Sequence, residues 1–285
     1  MKNFDEKIQS VNNKKFEDDY SEFLKFYKKY KIEKYTSETG IDELFTLLNI
    51  LKETQKNSID SRFISLWSIL ENISQYNGKG SIISKVENTF YSFEELFLLR
   101  KLLKDIWREL KNIESSDQFE DSTEDHSIII QILHDSSNSK GNCDYNKLWE
   151  SLVNIEDQEF ISLLKLNYYN LYQNISIIKK INDNMRELNK YFEKLKESYA
   201  IDFMRIYRYR NIIVHNSSNL RDLEYLTTRL EKYVYSMLSV LIHHAINNHT
   251  INIKNVIFST NKTTDNLKRS KDYKDYINIR YYLLK

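Results

Sequence analysis

Arg210, Asn211 and His215 are the residues of this chain best suited to chemistry on a phosphodiester. They lie in the stretch Arg205–Asn216, RIYRYRNIIVHN. On a helix, Asn211 and His215 are four residues apart, stacked one turn above the other and able to touch. An asparagine so placed can hold an imidazole in one tautomer and one orientation, which proton transfer requires. Cleavage of RNA by its own 2′-hydroxyl needs a base for that proton, an acid for the 5′-oxygen and a cation for the phosphorane charge. A histidine serves as acid or base, and an arginine stabilises the charge. The scheme calls for no metal and no cofactor. Arg205, Arg208 and Arg210 alternate with Tyr207 and Tyr209. That alternation makes a local patch for phosphate contact and base stacking.

Each of these residues also has a structural reading. Arg210 falls among Tyr199, Phe203, Ile206 and Ile213, on the apolar side of the helix. A guanidinium there is costly unless it is paired or faces a cleft, and Glu71 or Asp202 could pair with it. His215 stands in the last turn, where the helix dipole favours a cation. Glu71 lies beside the apolar stripe of an earlier helix, either as a solvated charge or as a carboxylate that braces the site. Arg210 and His215 are about 140° apart on an ideal helix, so one copy does not easily bring both to one phosphate. Two copies related by a two-fold axis would.

The elements that must position these residues read as helices throughout. Residues 2–35 place Phe16, Tyr20, Phe23 and Tyr27 at helical spacing, and Thr36–Gly40 is a break. Asp42–Gln55 and Ser58–Tyr76 are amphipathic helices, the second capped by Ser58 or Asp60. Asn77–Gly80 is a turn, and Ser81–Tyr91 a short helix. Ser92 and Glu95 form a capping box that opens the next helix. Glu114–Asp125 and Asp135–Asp144 read as loops around a short helical run, Ile128–Leu133. Helical patterning then runs from Tyr145 to Asn216, with breaks expected near Asn154–Asp157 and within Asn182–Asn189. Ser217–Asn219 is a turn, Leu220–Ile246 a helix, and Thr250–Ser259 a strand or extended arm.

Composition supports an all-α fold. The chain has 285 residues, no proline and 4 glycines, so the main helix breakers are scarce. A net charge of +1 provides no global cationic field, and any RNA contact must be local. A single cysteine, Cys143, excludes an internal disulfide framework and fits a reducing compartment. The N-terminus lacks an apolar signal region and no segment is apolar enough to span a membrane, so a cytoplasmic protein is expected. A phosphate-binding glycine loop is absent. His243, His244 and His249 point in different directions and make a poor metal set. Trp67, Trp107 and Trp149 read as core or interface anchors.

The phrase YRYRNIIVHN resembles the signature of HEPN-domain ribonucleases: an arginine, a polar residue directly after it, and a histidine separated from the arginine by four to six residues. Ser61–Ile73, SRFISLWSILENI, resembles an early helix of the Apea-like HEPN group of phage-defence and abortive-infection proteins. The two matches cover a scaffold from about Ile41 to Asn247. The resemblance implies an up-and-down helical bundle over 41–247, from whose simplest form this chain departs by an insertion at about 114–146, marked by the two loops. An N-terminal extension over 1–40 and a tail over 248–285 flank it. It further implies a homodimer that cleaves RNA without metal, leaving a 2′,3′-cyclic phosphate and a 5′-hydroxyl. Arg210 and His215 would be catalytic and Asn211 supporting. A toxin or effector of abortive infection is the implied role, acting on tRNA or another cellular RNA under a regulatory or antitoxin partner. The competing expectation is a non-catalytic HEPN-like module that binds RNA, nucleotide or a protein.

Overall fold

A computed structural model describes residues 17–18, 20–28, 40–115, 123–139, 141–216, 220–248 and 252–278. Among them the fold is all-α, and the only bridge between extended backbones is the isolated pair Ser137 and Cys143. The chain divides into two compact units. The first takes the described residues of Met1–Glu94 and Lys196–Thr264, and the second those of Glu95–Leu195 and Asp265–Tyr282.

The first unit holds a helical stretch at 20–28, helix α1 (Ile41–Thr54) and helix α2 (Ile59–Ser74). It also contains the N-terminal part of α3 (Ile82–Glu114). Gly40 precedes α1 at φ 66, a left-handed conformation that a residue without Cβ adopts at no steric cost. Ser58, rather than Asp60, caps α2 by accepting from the Ser61 backbone N–H. α1 and α2 pack on each other through Leu44, Leu48, Phe63, Leu66 and Leu70, all at most 1 % exposed. Tyr27 stacks on Phe45 with ring centroids 4.2 Å apart and donates to Asp42 at 2.8 Å. Most of the single helix expected over 2–35 lies outside the described residues, as do residues 116–122, Ser217–Asn219 and 279–285.

The expected boundary at Ser92 does not exist. α3 runs unbroken for 33 residues. The Ser92 hydroxyl donates back to the Asn88 carbonyl at 3.0 Å, and Glu95 pairs with Lys268 at 3.2 Å instead of closing a capping box. The reason is packing: Val86, Phe90, Phe93, Leu96 and Leu99 form one continuous buried stripe through the would-be boundary.

The second unit contains the rest of α3, then α4 (Thr123–Asp135), α5 (Tyr145–Val153), α6 (Gln158–Asn167) and α7 (Tyr169–Asp183). α8 (Arg186–Asn216) begins there and ends in the first unit. The break near Asn154–Asp157 is present: Asp157 caps α6, accepting from the Glu159 and Phe160 N–H groups at 2.9 Å. Asn184 marks the break before α8, its side chain accepting from the Arg186 N–H at 3.1 Å. A third break at Tyr168 carries no glycine, proline or capping side chain. There the chain turns so that Phe160 and Leu164 of α6 and Leu171 and Ile175 of α7 are buried as those helices pack together.

α9 (Leu223–Asn248) completes the core of the first unit against α1 and α2. The described part of the expected strand or arm, 252–259, is neither: α10 (Ile253–Leu267) covers all of it but Asn252. Its buried residues Ile253, Val256, Ile257, Thr260 and Thr264 recur at three- and four-residue spacing, a helical period that outweighs the weak alternation. In the second unit, α11 (Tyr273–Ile277) rests on α5, with Tyr273 stacked on Trp149 at 4.5 Å. Trp67 and Trp149 are core residues, whereas Trp107 is half-buried beneath Lys111.

Candidate functional site

The C-terminal half of α8 is anchored by its apolar face. Phe203 and Ile206 are fully buried, and Phe90 of α3 meets Tyr199, Phe203 and Tyr233 ring to ring at 4.8–5.2 Å. Beneath the helix, Asp202 accepts from the Tyr233 hydroxyl at 2.5 Å and lies 3.2 Å from Arg229. Burial, and then Asp202, push the Tyr233 phenol well above the ordinary tyrosine range, so it stays a donor. Asp202 is therefore committed to α9 and is not the carboxylate that meets Arg210.

Glu71 of α2 is. Its Oε1 lies 3.9 Å from Arg210 Nη2 and accepts from the Trp67 indole N–H at 2.5 Å. Arg210 Nη1 donates to the Asn211 side-chain oxygen at 3.1 Å. A chain of contacts thus runs Trp67, Glu71, Arg210, Asn211, joining two helices of the first unit. Arg210 is about one-third exposed, and its Nε is buried without a hydrogen-bond partner. Because the Asn211 oxygen is taken by Arg210, its NH₂ group is left to act as a donor elsewhere.

On an adjoining face of α8 lies an open groove of ≈ 540 Å³. Ile83, Met204 and Ile212 give it apolar walls and Tyr207 an aromatic one, while Arg208, Asn211 and His215 supply its polar groups. Tyr207 also packs against Trp67, ring centroids 5.7 Å apart. His215 is exposed, and no hydrogen bond joins it to Asn211 in this state. Arg208 makes no ion pair among the described residues.

The structure therefore brings Tyr207, Arg208, Asn211 and His215 to one groove and leaves Arg210 on the Glu71 side. Asn211 belongs to both. Arg205 and Tyr209 are engaged elsewhere: Arg205 lies 3.8 Å from Asp222, and Tyr209 donates to the Arg221 carbonyl at 2.8 Å. Both contacts tie α8 to the residues entering α9, where Asp222 adopts φ 64. The helical period alone puts Met204 on the face of Arg208, Asn211 and His215, but the sequence did not single out Ile212 or the Trp67 N–H. The last had a signal, since Trp67 and Glu71 are four apart on one helix.

Among the described residues no three His, Cys, Asp or Glu side chains come together as a metal site, and no helix is long and apolar enough to cross a membrane. Burial, reinforced by Asp144, pushes the Cys143 thiol up to about 12, which makes it an unreactive thiol rather than a nucleophile. No family model, curated protein or solved structure matches the chain.

Proposed function

We propose that this chain is an endoribonuclease of the HEPN type, cleaving RNA by attack of the 2′-hydroxyl and leaving a 2′,3′-cyclic phosphate and a 5′-hydroxyl. The observation that supports this most is the 3.1 Å bond from Arg210 to Asn211, because Asn211 also shares a groove with His215. One side chain bonds the cation and lines the groove that holds the acid–base group. His215 moves the proton, Arg210 stabilises the phosphorane charge and Asn211 orients them. Two copies pairing the ends of their α8 helices supply both groups to one phosphate, which a single helix keeps about 140° apart. In this reading the protein is a cytoplasmic effector or toxin of anti-phage abortive infection. It acts on tRNA or another cellular RNA and is restrained by a partner protein.

A second reading rests on Glu71. With a carboxylate 3.9 Å away on one side and an amide on the other, Arg210 is a structural ion pair. The chain is then a non-catalytic module of the same architecture, binding RNA, nucleotide or a protein.

Incubation of the purified protein with total RNA and tRNA in EDTA separates the two. Cleavage that falls on the order of 10²–10⁴-fold in His215→Ala, with cyclic-phosphate ends on the products, supports the nuclease. Growth arrest on expression disappears in the same variant. Cleavage at full rate in His215→Ala overturns the mechanism.

A further inference from the structure

Resting on the ribonuclease reading, we infer that the groove on α8 seats an unpaired base of single-stranded RNA on Met204 and Tyr207, while Arg208 holds the adjoining backbone phosphate. The chemistry of the lining selects this occupant. An aromatic ring beside apolar side chains takes the face of a base, and the pattern is tolerant of base identity because every base has a π-face. Arg208 and His215 are the basic side chains at the groove, and no carboxylate lines it. Charge complementarity sets it apart from the second cavity, which lies in the other unit. That one has a similar volume of ≈ 530 Å³, but Asp135, Glu150, Glu156 and Asp157 face it against a single Lys147. A polyanion is repelled there and drawn to α8.

Length points the same way. Met204 and His215 are eleven residues apart, about 16 Å along the helix axis. The site suits an extended strand with its base at one end and its reacting phosphate at the other, rather than a single mononucleotide. A duplex keeps its bases stacked and paired inside, so it offers nothing to Tyr207 or Met204. Met204 is 57 % exposed, so its side chain is available and its replacement leaves the core intact.

The test is fluorescence anisotropy with the full chain and fully 2′-O-methylated RNA, which lacks the attacking hydroxyl. Three probes are compared: a single strand, the same strand annealed to its complement, and the same strand carrying abasic positions. We expect the single strand to bind at least about tenfold more tightly than the duplex. Abasic positions or Met204→Glu should each remove about tenfold of that affinity. Arg208→Ala should weaken the intact and abasic strands alike. Equal affinity for the three probes, or no effect of Met204→Glu, overturns the base seat; cleavage of total RNA by the same preparation then leaves the nuclease standing. A drop from dimer to monomer in Met204→Glu, with base dependence unchanged, assigns the groove to a second copy and also overturns it. Neither binding nor cleavage of any RNA overturns both readings.

Discussion

Arg210 is held by two unlike partners, and the difference matters. Asn211 bonds it at 3.1 Å, whereas Glu71 stands at 3.9 Å with its Oε1 already engaged by Trp67. Glu71 thus acts on Arg210 mainly as a nearby charge, and the indole N–H keeps that charge in place. Glu71→Gln retains shape and removes charge. In the nuclease reading it lowers kcat by about tenfold with little change in KM, because Arg210 acts on charge that develops only in the transition state. Its effect on stability is within about 1 kcal/mol, since the pair is loose and partly exposed. An unchanged kcat with a fall in urea midpoint larger than this would leave Glu71 a purely structural partner. The types and spacing of Arg210, Asn211 and His215 were legible in the sequence because they sit on one helix. Which carboxylate meets Arg210 was not, since Glu71 and Asp202 were equally eligible until Tyr233 and Arg229 claimed the latter.

Among the elements, caps and apolar periods explain where most helices start, and they are testable singly. Asp157 satisfies two N–H groups at the start of α6. Asp157→Ala should cost about 1 kcal/mol, read as a lower urea midpoint with an unchanged slope. No shift would mean that burial of Phe160 and Leu164 alone holds that end. Three elements departed from their local signals. α3 continues through Ser92 because its buried stripe does, a serine in mid-helix being tolerated when it bonds the carbonyl four residues back. α10 forms where a weak alternation suggested extended chain. The corner at Tyr168 has no local breaker, and burial of the α6 and α7 faces decides it. Long-range burial overrode a modest local preference in each case.

Across the molecule, buried tyrosines couple stability to alkaline pH in both units. Burial, helped by Glu231, pushes the Tyr235 phenol of the first unit up to about 12. Burial, helped by Glu95, does the same for Tyr276 of the second, also to about 12. In the unfolded chain both titrate near 10. The folded state therefore binds more protons between these values, and stability falls as pH rises. The contribution, on the order of 3 kcal/mol for each phenol, is fully present below about pH 10 and lost as pH rises through about 12. Urea melts taken alongside tyrosinate absorbance should show the midpoint falling as the phenols ionise. A midpoint that stays level to pH 12 would exclude the linkage.

By itself the sequence determined the helical class, the Ser58 cap and the face of α8 that carries Asn211 and His215. These follow from the 3.6-residue period and from side chains bonding their own neighbours, both local in the chain. Only the tertiary structure decided that the described residues of 95–195 group with those of 265–278, that α3 is one helix, and that Trp67 and Glu71 brace Arg210. Those outcomes depend on which distant surfaces bury each other. Many arrangements satisfy the same local pattern, and packing selects among them.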